Sequence, residues 1–194
     1  DAGYLSGLAE NLRSKWIDRN KLMEECQLLY QMDTSDRKKG YEIIKNNIAH
    51  RTVSLAVALL TQGTLRVRAP VVAGEEKDSA GDKVERILRG LLRMCDRNAM
   101  RRLNYPVRYS LASFEAIRGW WALLPLVTVD EQGDSSFDLR VLDPINVYPE
   151  LGPDGPSYVI HNYWTTSAAA HETWAKHKVH DRSDDLVQVI DYYD

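Results

Sequence analysis

Asp143-Pro144 stands in the middle of the most β-rich stretch of this chain, and it limits what that stretch can form. Proline has no N–H to give to a ladder and fixes its own φ, so Leu139, Val141 and Ile145 cannot belong to one uninterrupted strand. A dense run of turn formers follows: Pro149, Gly152-Pro153, Asp154-Gly155 and Pro156. The chain then restarts as Tyr158-Val-Ile-His-Asn-Tyr-Trp164, rich in aromatic and β-branched residues. The segment 138–164 therefore predicts two strands joined by a turn-rich crossing, with Asp143 and Pro144 as its structural hinge. It carries no catalytic device.

Around it, hydrophobic spacing predicts helices at 5–31, 41–61, 83–104 and 105–118. Strands are predicted at 64–69, 120–129, 137–142, 158–164 and 186–193. Leu8, Leu12, Trp16, Met23 and Leu28 give the first helix a loose apolar face, and Asp33-Thr-Ser-Asp36 breaks it. Residues 1–36 thus form a helical arm that docks on a neighbour, and 37–194 the domain proper. Tyr41, Ile44, Ile48, Leu55 and Leu59 mark the buried face of the second helix, which Gly63 closes in a left-handed cap. Residues 74–82 are polar and form a surface loop. Pro106 opens the helix ending at Gly119, whose freedom at positive φ suits a direct turn into a buried strand. Pro125 places that strand at an edge or on a bulge. After Trp164, alanine-rich 165–178 forms either a short helix capped by Thr166 or Ser167, or a long-looped hairpin. The fold class is α+β, with amphipathic helices packed on a mostly antiparallel sheet.

Composition excludes several functions. A formal charge of −3 gives no general affinity for nucleic acid or anionic membrane. The apolar runs at 53–60 and 120–127 fall short of the roughly 20 residues a membrane span needs. Cys26 and Cys95 are too few for a disulfide framework and read as reduced thiols. There is no GxxxxGK[ST] loop, no GxSxG and no GxGxxG. His171-Glu172 with His177 and His180 imitates a zinc motif, but the HExxH pattern needs histidines four apart on one helix face. His50 has no acidic partners at matching spacing. We therefore expect no catalytic residue, no metal and no cofactor, and read the chain as not an enzyme. The aromatics between Tyr148 and Tyr193 pack a sheet face or a subunit boundary.

The pattern that does ask for a partner lies on the helix 83–104. Val84, Ile87, Leu88, Leu91 and Cys95 form one face, and Arg86, Arg89, Arg93, Arg97 and Arg101 follow one another on the opposite one. Such a stripe is either a solvated helix face or a contact for an acidic neighbour or phosphate.

The order helix, glycine, buried strand, hairpin, then Val141-Leu-Asp-Pro-Ile-Asn-Val-Tyr-Pro-Glu150 resembles a known family, the portal proteins of tailed bacteriophages. Tyr158-Val-Ile with Tyr163-Trp164, and Leu186-Val-Gln-Val-Ile-Asp-Tyr-Tyr-Asp194, continue the likeness over residues 40–194. The resemblance implies the wing region of a portal (head-to-tail connector) subunit, with 165–178 as strand and hairpin. By that likeness the full-length protein is a virion protein, assembled in the host bacterial cytoplasm into a typically dodecameric ring at one capsid vertex. Its partners would be other copies of itself, the terminase, the capsid and neck proteins, and the double-stranded DNA that passes through the ring. No membrane is involved. The channel-lining parts would follow Asp194, so the chain is expected to be a fragment. Two other readings stay open: a nucleic-acid-binding module using the arginine stripe, and a metal-dependent hydrolase using the His171–Asp184 region.

Overall fold

The computed structural model describes residues 2–32, 47–63, 67–68, 79–129, 133, 135–174 and 186–194. The α+β class holds: helices are followed by antiparallel strand pairing. The chain divides into two compact units, 1–24 with 143–194, and 25–142. The described strands accordingly form two sheets, not the single one expected. Alternation shows that a segment is a strand but not which sheet it joins, and the break at Asp143-Pro144 separates the two.

In the first unit, β3 (Val147–Gly152), β4 (Gly155–Thr166) and β5 (Leu186–Tyr193) pair antiparallel in that order. The register runs from Val147↔His161 to Gly152↔Gly155 on one side of β4 and from Val159↔Tyr193 to Thr166↔Leu186 on the other. The turn-rich crossing therefore hides a strand. Asp143 caps a 3-10 turn, Pro144–Asn146, its Oδ1 accepting from Ile145 N at 3.1 Å, and Pro144 is buried at the first position. Pro149 sits inside β3, which pairs with β4 alone among the described strands. Its carbonyl points outward to accept from Trp16 Nε1 at 2.9 Å, so the missing N–H faces the open edge as well.

Two N-terminal helices, α1 (Ala2–Lys15) and α2 (Ile17–Gln31), begin the chain. Ala9 and Leu12 of α1 are buried against Tyr148 and Ile160, flanked by Leu8, Trp16, Tyr158 and Ile190. Where the sequence set 1–36 apart as an arm, residues 1–24 share a core with 143–194. They also close the edge of β3. Besides Trp16, the Arg19 guanidinium donates to Val147 O at 3.0 Å, and Asn20 Nδ2 donates to Ile145 O at 3.3 Å and the Tyr148 hydroxyl at 3.2 Å. Side chains thus satisfy carbonyls that an edge strand otherwise leaves available for aggregation. Arg19 stacks on Trp16 at 4.4 Å, and burial pushes its guanidinium down to about 10, partly opposed by Tyr148.

The short helix after Trp164 is present as α6 (Ser167–Thr173), with Thr166 Oγ1 accepting from Ala169 N at 3.3 Å. Of the strand and hairpin that the resemblance implied for 165–178, only 165–166 are strand, as the end of β4; 167–173 are helical, and 175–185 lie outside the described residues.

In the second unit, α3 (Ile48–Gln62), α4 (Ser79–Leu103) and α5 (Val107–Arg118) pack with the hairpin of β1 (Ala122–Val129) and β2 (Ser135–Leu142). Residues 41–46, 64–66 and 69–78 lie outside the described ones, and with them most of the expected strand 64–69. Val67 and Arg68 have no regular structure. The polar loop expected at 74–82 is helical from Ser79 on. Gly63 is extended (φ −65°, ψ 143°), not left-handed as expected, and its carbonyl accepts from Arg108 Nη1 at 3.0 Å. Asn104 supplies the left-handed residue that ends α4 (φ 63°), a conformation asparagine tolerates better than most. Pro125 lies on an unbulged edge opposite Leu139, whose N–H goes to Asp138 Oδ1 at 2.9 Å. The pair thus exchanges no ladder bonds, and proline costs none.

Gly119 ends α5 as expected. It is left-handed (φ 79°), and its N–H donates to Glu115 O at 3.1 Å. A Cβ there would meet nothing within 4 Å, so a substitution is strained by the backbone alone. Gly119→Val is expected to lower stability by about 1–2 kcal/mol, and Gly119→Asn by less. Thermal melts of both variants check this; equal, unchanged melting temperatures would count against the turn.

Candidate functional site

α4 is the element that carries the arginines, and its two faces differ along its length. Toward its C-terminal half, Cys95 and Ala99 are buried with Val107, packed by Leu111, Leu123, Phe137, Leu139 and Val141. Asp96 fixes the neighbouring helix by accepting from Val107 N at 3.0 Å, and Arg102 Nη1 pairs with Asp138 Oδ2 at 2.9 Å. Burial pushes the Cys95 thiol up, with the Asp138 charge adding to it. A raised thiol is a packing group and not a nucleophile.

Toward the N-terminal half the expected apolar face is bare. Val84, Ile87 and Leu88 are exposed, and Leu91 is half-buried. Hydrophobicity decided that these residues share a face, but the hairpin that covers the face reaches only its later turns.

Arg86, Arg89, Arg93, Arg97 and Arg101 are all exposed, as the sequence predicts for a stripe. They are not equivalent. Arg89 Nη2 pairs with Glu85 Oε2 at 2.9 Å, and the Glu85 side chain is almost wholly buried (7 % exposed). The other four have no ion pair among the described residues. Glu85 and Arg89 stand at i and i+4, a spacing that is visible in the sequence.

On α3, Ile48, Leu55 and Leu59 were expected to be the buried face, yet they are 62 %, 61 % and 62 % exposed. The buried residue is Val57, and it is α5 that packs against this helix. α3 is apolar on two sides, and periodicity alone cannot say which one meets α5. Ile48 and Leu55 are seven apart and Leu59 four further on, so they stand on one side of the helix.

Of the remaining residues singled out, Gly119, Asp143 and Pro144 act locally as described. His171 lies in α6, whereas His177, His180, Asp181 and Asp184 lie outside the described residues. Among the described residues no group of three or more His, Cys, Asp or Glu could hold a metal ion. No described helix is long and apolar enough to cross a membrane. His50 stacks on Tyr30 at 4.9 Å. Of the aromatics between 148 and 193, Tyr148 is buried and Tyr158 packs the core, stacking on Tyr192 at 5.5 Å, while Trp164 is 62 % exposed. One cross-strand pair has no signal in the sequence: His161 Nδ1 meets Asp191 Oδ2 at 3.5 Å, and the His161 ring stacks on Tyr163 at 4.4 Å.

No family model matches the chain, and no curated protein matches its sequence.

Proposed function

We propose that the chain is a structural subunit that works only when other copies cover it, the wing part of a tailed-phage portal ring. One observation carries the reading. In residues 25–142, α3 and the first turns of α4 leave Ile48, Leu55, Leu59, Val84 and Ile87 exposed, on helices otherwise packed in a folded unit. Such bare aliphatic surface marks an interface. Four arginines of α4 that have no ion pair among the described residues add a charged border that an acidic partner would complement. The element order supports the family: a helix ends at Gly119, a hairpin follows, and Asp143-Pro144 separates it from the next sheet. The role is assembly at the capsid vertex, passage of double-stranded DNA, and docking of the packaging motor and neck proteins, within a virion. It needs no catalytic centre and no metal.

The arginine stripe tests this. Like charges one turn apart repel by a few tenths of a kcal/mol per pair, an arrangement from which a monomer gains nothing. An acidic neighbour reverses that balance. Arg93→Glu combined with Arg97→Glu is expected to leave the chain folded, since neither has an ion pair among the described residues. It should raise the concentration needed for ring assembly of the full-length protein about tenfold. With a Debye length near 10 Å at 0.1 M salt, assembly of the unaltered protein should weaken as salt rises. Electron microscopy reads both. Normal rings from the double variant at low and moderate salt would return the stripe to a solvated helix face. Intact rings with lost DNA affinity would favour a nucleic-acid contact instead.

A further inference from the structure

α2 is one unbroken helix, and one of its sides is acidic and apolar at once. Asp18, Leu22, Glu25 and Leu29 follow at i, i+4, i+7 and i+11, the spacing of residues that share a face. All four are exposed, the two leucines at 61 % and 68 %. The core side of the helix is the other one: Met23 is buried there, and Arg19 and Asn20 hold the carbonyls of Val147 and Ile145. An acid suits the first turn of a helix, which accounts for Asp18. Glu25 stands in mid-helix and has no ion pair among the described residues. Nor does a lone subunit gain from two leucines held in water beside it.

The arginine face of α4 has the same repeat. Arg86, Gly90, Arg93 and Arg97 also stand at i, i+4, i+7 and i+11, and all are exposed. Gly90 interrupts the row. A Cβ there would meet nothing within 4 Å, and its φ is not positive, so neither crowding nor a turn asks for glycine. Glycine weakens a helix interior relative to alanine, and no contact among the described residues offsets that. A gap in an exposed row of long side chains suits the close approach of another helix.

We propose that α2 of one copy lies along the arginine face of α4 in the next copy, the two helices running parallel. Asp18 then meets Arg86 and Glu25 meets Arg93, pairs that repeat at a rise of about 10.5 Å on both helices. Leu22 enters the gap at Gly90, and Leu29 lies on the aliphatic stem of Arg97. Lys21 falls to one side of the acidic stripe, outside the pairing. Opposite charge on the two faces sets the register and disfavours contacts of α2 with α2 or of α4 with α4. Each copy carries one face of each kind, so the contact repeats head to tail, as a ring requires. The inference rests on the reading that copies of this chain cover one another, and it names the surface each copy offers.

Sedimentation velocity of the full-length protein tests the pairing. Glu25→Arg brings two positive faces together, and Arg93→Glu two negative ones. Each variant alone is expected to need about tenfold more protein to associate. Mixed in equal amounts, the two should associate near the concentration of the unaltered protein, because each supplies the charge that the other lacks. Melting temperatures should not move, since neither residue has an ion pair among the described residues. Gly90→Leu should weaken association severalfold by filling the seat of Leu22, with a melting temperature unchanged or raised. Rescue in the mixture, together with the loss in Gly90→Leu, supports the proposal. Association that neither charge reversal weakens, or a loss that mixing does not restore, overturns this contact and leaves the ring reading standing. Normal association of Gly90→Leu overturns the proposed register, and no association of the unaltered protein overturns both readings.

Discussion

A chain lacking residues 1–24 is expected to lose the folded state of residues 143–194. Three antiparallel strands are stable alone only when something covers their apolar face, and α1 is what covers this one. Ala9 and Leu12 are buried against Tyr148 and Ile160, and Leu8 and Trp16 pack around them. Leu12 alone, reduced to alanine, should cost about 2–5 kcal/mol. Deletion removes the whole helix and the three side chains, Trp16, Arg19 and Asn20, that hold the carbonyls of Ile145, Val147 and Pro149. Against a total stability of about 5–15 kcal/mol for a domain, those losses leave little. Limited proteolysis and near-ultraviolet dichroism read the result. The truncated chain should be cut rapidly within 143–194 and lose the fixed aromatic signal of Tyr148 and Tyr158. Resistance equal to that of the intact chain would mean that the N-terminal helices are an accessory after all.

What the sequence made legible follows a physical line. Local patterns came through: the helix from Pro106 to Gly119 has near-regular apolar spacing and a terminator at its end, and the 122–142 hairpin is bounded by its own loop. Patterns that depend on a distant partner did not. α3 carries apolar residues on two sides, and only the position of α5 decides that Val57 is buried while Leu55 and Leu59 are not. Pro149 argues against a strand in isolation. It is accepted in β3 because its nitrogen faces an edge that Trp16, more than a hundred residues earlier, comes to close. The candidate site divides the same way. The arginine row is a one-dimensional pattern and is exposed as read, whereas the bare side of α3 follows from where α5 packs and shows nothing in the sequence.

Ile160→Ala and Trp164→Ala, made separately, are expected to differ by several kcal/mol in the direction opposite to residue size. The two side chains lie on the same face of β4, separated by two steps of its alternation. Ile160 is 0 % exposed and touches the α1 core, so truncating it removes buried methylenes and leaves a cavity between Leu12 and Tyr148. The cost should be about 2–5 kcal/mol. Trp164 is 62 % exposed, beyond the reach of that core, and its loss should stay within about 0.5 kcal/mol. Urea melts of the two variants decide it, with equal slopes showing that neither changes the surface exposed on unfolding. Equal destabilisation would mean that the cover of the sheet extends to Trp164. A neutral Trp164→Ala that nonetheless weakens assembly of the full-length protein would give this tryptophan the role its exposure suggests: an aromatic anchor, of the kind enriched at interfaces, held ready for a neighbouring subunit.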